Sequence, residues 1–454
     1  MHFVPAPQPV IRIEGIYELK NTGNQPLTSL ELRLAGRRRF HYSEPTAQWD
    51  KTALTFAASP DNPRNVVLNF PQAWTVSQRH TLRLTVEYRP PAPNETTLSF
   101  TPDAFFLPAQ GWSPELLPAR GIFATGGVPP KVWNLIVRVP GNFLMHTSGQ
   151  TSKQSAKNSG KAGERTIHVK QTFQDGYPFV IAGHYVAGTI TAGPETVNLW
   201  TRSPQSPEAL RQPSQALARA IQAYNSIFGV RPKDSHQLWI VECPDLIGCF
   251  TSTTSNFSRL TSRENEKTSG EMASQDTAMV DLTGGAPEIA AAAPSLASSW
   301  LGYGQNPGFF EQTPPLYALP AFAASRGREA VEGSQVRTQI IRRLLRAIPA
   351  SFPTRQPEPD DVLRAKSILF FYGLQDRYGQ KVFSAALSHM LEARRGGGFD
   401  LDDLIAAFEQ ETHQNVTQFV RLWMKHPGVP EDFRVRYENS AASLTPDRAK
   451  ESIP

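Results

Sequence analysis

Histidine is missing from the middle of this chain. None occurs between Gln237 and Ser388, and no two of the ten histidines stand four residues apart anywhere. That excludes an HxxxH pair, the spacing that turns two imidazoles on one helix toward a single metal ion. Cysteine is scarce too: Cys243 and Cys249 are the only two, with Pro-Asp-Leu-Ile-Gly between them. No second cysteine pair or histidine lies beside them in sequence, which argues against a metal site. Two ordinary thiols, or a loop disulfide in an oxidising compartment, stay open. Charge is sparse, at 19% of residues with a net +5. The basic clusters Arg37-Arg38-Arg39 and Arg342-Arg343 are short. The second sits in Ile340–Leu345 with amphipathic helical spacing and reads as a solvated helix face, so no nucleic-acid partner is expected. No apolar run reaches the roughly 18 residues of a membrane span. The opening residues lack a charged and then apolar leader, so no signal peptide is expected. The expected protein is soluble. A periplasmic or extracellular location stays open if the N-terminus is truncated, and the oligomeric state is not readable.

What the chain does have is enough length and apolar content for more than one core: 454 residues, 39% hydrophobic, 10% aromatic, with 39 prolines to punctuate it. Residues 8 to about 195 alternate with period two. His80–Tyr88 is the cleanest case, placing Leu82, Leu84, Val86 and Tyr88 on one face. Val10–Leu19, Leu27–Leu34, Trp133–Pro140, Thr166–Lys170 and Phe179–Tyr185 read as further strands. The expectation is an antiparallel sandwich or saddle.

The period changes near Ser203. Ser206-Pro207-Glu208 is a helix start with a serine cap and proline in the first turn, and that helix stops at Gly229. Strands follow at Gln237–Glu242 and Ala278–Leu282. From Pro287 helices dominate, at about 287–301, 315–326, 332–347, 359–376, 379–393, 401–411 and 415–424. The fold class is α+β: a β domain over 1–200, a mainly helical domain over 203–436, and a tail from 437 to 454.

Several landmarks, in order, carry a resemblance: Trp112-Ser113-Pro114, Trp133–Pro140 with Ser148-Gly149, Phe179–Tyr185, Tyr224–Gly229 before Trp239–Glu242, Trp300-Leu301-Gly302, and Trp423 before Pro427-Gly428-Val429-Pro430. Over about 10–436 the chain resembles the aminopeptidase N-like gluzincin zinc metallopeptidases, in a short form without the large C-terminal helical domain. The resemblance implies a thermolysin-like second domain, a zinc ion held by an HExxH helix and a downstream Glu, and cleavage of N-terminal residues from peptides.

Position by position, the implied chemistry is absent. The first zinc histidine falls on Pro294, the general-base Glu on Ser295 and the second histidine on Ser298. The third ligand, the Glu of an "NEGFA"-like turn, falls on Pro320; an ungapped count lands on Tyr317. The Glu of "GxMEN", which grips a substrate's free amino group, falls on Ala273, and the oxyanion tyrosine falls on Arg364, two before Lys366. A zinc–water site needs its full ligand set and a base.

The expectation is a pseudopeptidase with a degenerate zinc site, no metal and no cofactor, that binds a peptide or protein ligand in the old cleft. Arg364 and Lys366 are the candidates to hold a carboxylate, against internal pairing of Arg364 with Asp360 or Asp361. The alternatives are an active metallo-aminopeptidase or other hydrolase, should the alignment fail, and a purely structural or assembly subunit. Ser295 and Ser298 as a replacement nucleophile lack a G-x-S-x-G elbow and a nearby histidine; small residues filling a vacated site is the simpler reading. Asp281, Asp360-Asp361 and Asp402-Asp403 read as caps and helix-start charges.

Overall fold

The computed structural model describes residues 1–5, 9–33, 41–42, 45–60, 65–89, 100–107, 115–117, 132–148, 150–151, 163–172, 178–231, 237–244, 270–274, 276–301, 316–349, 358–394 and 399–439. Trp112-Ser113-Pro114, the Arg37–Arg39 cluster, Cys249 and Gly302 lie outside them.

Period-two alternation builds the first unit. Its largest sheet runs, strand by strand, Gln150–Thr151, Glu164–Thr172, Val132–Pro140, His2–Val4, Val10–Lys20, Arg79–Arg89, Thr46–Trp49 and Thr52–Leu54, with His41–Tyr42 also on Arg79–Arg89. His2–Val4 pairs in parallel with Val132–Pro140, while the central pair is antiparallel with Ile13 opposite Val86. Leu82, Leu84, Val86 and Tyr88 are all buried, as their alternation predicts. The face they share meets two smaller sheets. Tyr88, Val86, Ile11 and Val137 pack with Phe105 and Val180 of the sheet containing Ala104–Leu107 and Val180–Gly183. Leu82, Leu84 and Trp49 pack with Leu32, Leu68 and Trp74 of the sheet containing Leu27–Arg33 and Asn65–Trp74.

The second unit has a five-stranded sheet in the order Val186–Ala192, Glu195–Thr201, Leu238–Glu242, Thr277–Val280, Gly270–Ser274, with helices after it. The first helix is Pro207–Phe228. Its Ser206 hydroxyl accepts from the Ala209 N–H at 3.2 Å, and Gly229 ends it at φ 82°, a conformation glycine adopts without a Cβ penalty. Leu217, Ala220, Ile221, Tyr224 and Phe228 form its buried stripe. The stretch expected as helices 359–376 and 379–393 is Asp360–Ala393, broken at Gly379 with φ 80°.

The domain boundary differs from the expectation at residue 200. The hairpin Gly188–Leu199 belongs to the second unit, and Trp200–Pro204 returns to the first. Alternation alone cannot assign a strand to one sheet or another; pairing does. The helix Glu431–Asn439 runs past position 437, where the tail was expected to begin. Among the described residues no helix is long and apolar enough to cross a membrane.

Candidate functional site

The segment expected as one helix over 287–301 is three pieces: a 3₁₀ stretch Ala286–Ala292, then short helices Ala293–Leu296 and Ser298–Leu301. Pro294 explains the break. It has no N–H to return to Ala290, so the Ala290 carbonyl accepts from Ala293 instead. The tighter pattern persists, with Ala297 N–H on the Pro294 carbonyl at 3.4 Å and Trp300 N–H on the Ala297 carbonyl at 3.1 Å. Two side chains four apart converge on one ion only along an unbroken α-helix, and here the break falls between positions 294 and 298.

Packing brings the other positions to this segment. Ala293–Leu296 lies against the helix Leu319–Glu332, which carries Pro320, and against the strand Gly270–Ser274, whose ladder is irregular between Met272 and Ser274, at Ala273. Leu316–Ala318, which contains Tyr317, packs on the helix of Arg364. Ala292, Ala293, Leu296, Ala297, Leu319, Ala321 and Phe322 are buried, whereas Pro294, Ser295 and Pro320 are half-buried and Ser298 is 5% exposed.

A second set of residues, not read from the sequence, holds this segment in place. The Tyr224 hydroxyl donates to the Ala293 carbonyl at 2.8 Å. Its ring lies over Gly327, where a Cβ would come within 1.6 Å of the hydroxyl. Trp300 Nε1 donates to Asn225 Oδ1 at 2.8 Å. The Arg231 guanidinium sits 5.9 Å from the Trp300 ring centroid and pairs with Glu195 at 2.7 Å. Only the buried stripe of the first helix hinted at Tyr224; the partners of Arg231 are far apart in sequence.

Of the two cation candidates for a carboxylate, Lys366 is turned inward. Lys366 is completely buried. Its Nζ donates to Glu358 Oε2 at 2.8 Å and to the His426 carbonyl at 2.6 Å, and Glu358 Oε1 accepts from the Gly428 N–H at 2.7 Å. This clasp closes the His426–Pro430 turn onto the start of the helix and turns Lys366 away from an external ligand. Arg364 is half-buried and engaged with its surroundings. Of the remaining candidates, Asp281 caps Thr283 through 2.8 and 2.7 Å bonds, and Asp403 closes a capping box with Asp400.

The donor set does not fit a zinc ion. Pro294 and Pro320 have no ligating side chain, Ser298 offers one neutral hydroxyl, and among the described residues no group of three or more His, Cys, Asp or Glu side chains could hold a metal.

No family model matches the sequence, and no curated protein matches it. Solved structures do match the fold. A mutant M1 zinc metallopeptidase from Deinococcus radiodurans aligns with a TM-score of 0.57 at 15% identity, covering 94% of each chain. A mutant of the M1 zinc metallopeptidase from that organism, bound to a Tyr-Ser-Ala substrate, aligns with a TM-score of 0.53 at 15% identity, again covering 94% of each. A two-domain M1 zinc metallopeptidase mutant bound to L-tryptophan aligns at 0.51 and 15% over the same shares. From end to end of the aligned region, this chain has the fold of the M1, aminopeptidase N-like zinc metallopeptidases.

Proposed function

We propose that this protein is a non-catalytic member of that fold, a pseudopeptidase that binds a peptide or protein ligand where the related enzymes are built to act. One observation carries the reading. The positions that would supply three metal ligands and a general base hold Pro294, Ser298, Pro320 and Ser295, on a segment broken within the ligand spacing. A zinc-bound water cannot be held or deprotonated by that set. Retention of the whole two-unit fold, together with the peptide and amino-acid ligands of its structural relatives, supports a binding role. The burial of Lys366 in an internal ion pair favours a second reading, a structural or assembly subunit, because it removes one of the two cations offered to a ligand.

The test is metal content and turnover on one preparation. Elemental analysis after dialysis gives no stoichiometric zinc, and amino-acid anilides are not cleaved above a control lacking the protein. One zinc per chain, or metal-dependent turnover that follows the protein through purification, overturns the proposal.

A further inference from the structure

Four helices of the second unit meet where the chain concentrates arginine. From Gly333 to Pro357 the sequence has five arginines and no acidic residue. Leu319–Glu332, Gln335–Arg346 and Asp360–Ala393 pack on one another, and Glu431–Asn439 packs on Gln335–Arg346. Side chains from all four converge at the seam. Arg326 pairs with Glu329. Arg337 pairs with Asp376 at 2.5 Å and lies 5.3 Å from the Tyr372 ring centroid. Arg436 reaches the other Asp376 oxygen at 3.4 Å, and the Tyr437 hydroxyl donates to that oxygen at 2.6 Å. Arg342 Nε donates to the Tyr437 carbonyl at 2.9 Å. Arg326, Glu329 and Arg337 all act electrostatically on the Tyr372 hydroxyl, which joins the two halves into one network.

This network sets the guanidiniums of Arg326, Arg337, Arg342 and Arg436 against the carboxylates of Glu329 and Asp376. Cations exceed anions, and the hydrogen bonding falls short on the same side. Arg326 Nε and Arg342 Nη2 are buried atoms with no hydrogen-bond partner. Arginine cannot shed its charge, so an unpaired donor there is costly. Helix-end electrostatics does not account for these two. Arg326 sits inside Leu319–Glu332, and Arg343 and Arg346 are the cations of the last turn of Gln335–Arg346. The seam also opens to solvent, since the Arg337 side chain is 23% exposed and that of Arg436 54%.

We propose that this seam binds a phosphate-type oxyanion. A phosphate group carries close to two negative charges at neutral pH and presents several acceptor oxygens. It therefore answers both shortages at once, the surplus of cations and the surplus of donors. Guanidinium forks match its oxygens in pairs. A single carboxylate offers half the charge and fewer acceptors. The site does not depend on the peptide-binding role proposed above, so either can fail alone.

The experiment is a melting series on the full chain in sodium phosphate, sulfate, acetate and chloride at one ionic strength, followed by calorimetric titration of inorganic phosphate. Phosphate and sulfate raise the melting temperature with saturation, and acetate and chloride do not. Arg342→Gln and Arg436→Gln each weaken phosphate about tenfold or more. Arg436 is largely exposed, so its variant keeps the fold and the test stays decisive if Arg342→Gln does not fold. Lys170→Gln, which removes an exposed cation of the first unit, binds phosphate as wild type does. A melting temperature no higher in phosphate than in acetate or chloride overturns the proposal. So does unchanged affinity in the seam variants, or an equal loss in Lys170→Gln.

Discussion

Lys366 Nζ lies 2.8 Å from Glu358 Oε2, with 1% of the lysine side chain and 12% of the glutamate side chain exposed. A charge pair this deep is held by complete bonding rather than by Coulomb attraction alone. The ammonium also reaches the His426 carbonyl, and the other carboxylate oxygen takes the Gly428 N–H.

Breaking this pair on one side is therefore expected to be costly. Glu358→Gln or Lys366→Met leaves an uncompensated buried group and destabilises the protein by roughly 3–5 kcal/mol. The double change costs less than the two singles summed. Urea unfolding of the four proteins measures this; additive effects would show that the two side chains do not act as a unit.

Tyr224 and Gly327 test what supports the segment Ala286–Leu301. Tyr224→Phe keeps the ring and loses the bond to the Ala293 carbonyl, a cost of about 1 kcal/mol. Gly327→Ala drives a methyl into the Tyr224 hydroxyl and costs roughly 1–3 kcal/mol as overpacking. Combining Gly327→Ala with Tyr224→Phe recovers part of the loss, because the clashing oxygen is gone. Denaturation midpoints of the three variants decide the matter, and no recovery in the double variant would contradict the contact.

Alkaline pH is expected to destabilise the fold through its buried phenols. Burial pushes Tyr372 and Tyr437 from the ordinary 10.0 up to about 12, and burial raises Tyr17, Tyr185 and Tyr224 further. Their folded values are raised, so the stability they contribute is complete below pH 10 and is lost as pH climbs toward 12 and beyond. Phenolate absorbance should rise in two stages: the accessible members of the 11 tyrosines first, and the buried ones together with unfolding. A single titration near pH 10 with the fold intact would refute this.

Cys243 is disulfide-bonded, and among the described residues no cysteine is free. Denatured protein prepared without reductant therefore shows no reactive thiol, and reduction releases the two that the sequence contains. The reduced protein melts at lower temperature, because the cross-link no longer restricts the unfolded chain. Two thiols titrating before reduction would contradict the bond.

Added zinc is a separate check on the donor set. A metal that binds only the native state raises the melting temperature with concentration. Zinc at many times the concentration that saturates a structural site leaves this protein's melting curve unmoved, whereas a saturable upward shift would mean that ligands exist outside the positions considered.

Part of the protein was legible in the residues alone. Strand alternation at Leu82–Tyr88, the serine cap and proline start at Ser206-Pro207, and the stop at Gly229 are local instructions, written in period, capping chemistry and allowed backbone angles. They suffice for an α+β chain with a β half and a helical half. That positions 294, 298 and 320 hold proline, serine and proline is equally local, because imidazole or carboxylate groups are either in the side chain or not. Tertiary structure alone decided the rest. The hairpin Gly188–Leu199 joined the second unit through pairing with Leu238–Glu242, which is invisible to a period. The helix Glu431–Asn439 formed on Phe433 packed against Trp423, a contact its polar sequence does not announce. Lys366 became a buried clasp instead of a ligand contact, because the carboxylate, carbonyl and amide that satisfy its surroundings converge from positions 358, 426 and 428. A charge's role is set by the groups around it in space, and only the folded chain brings those together.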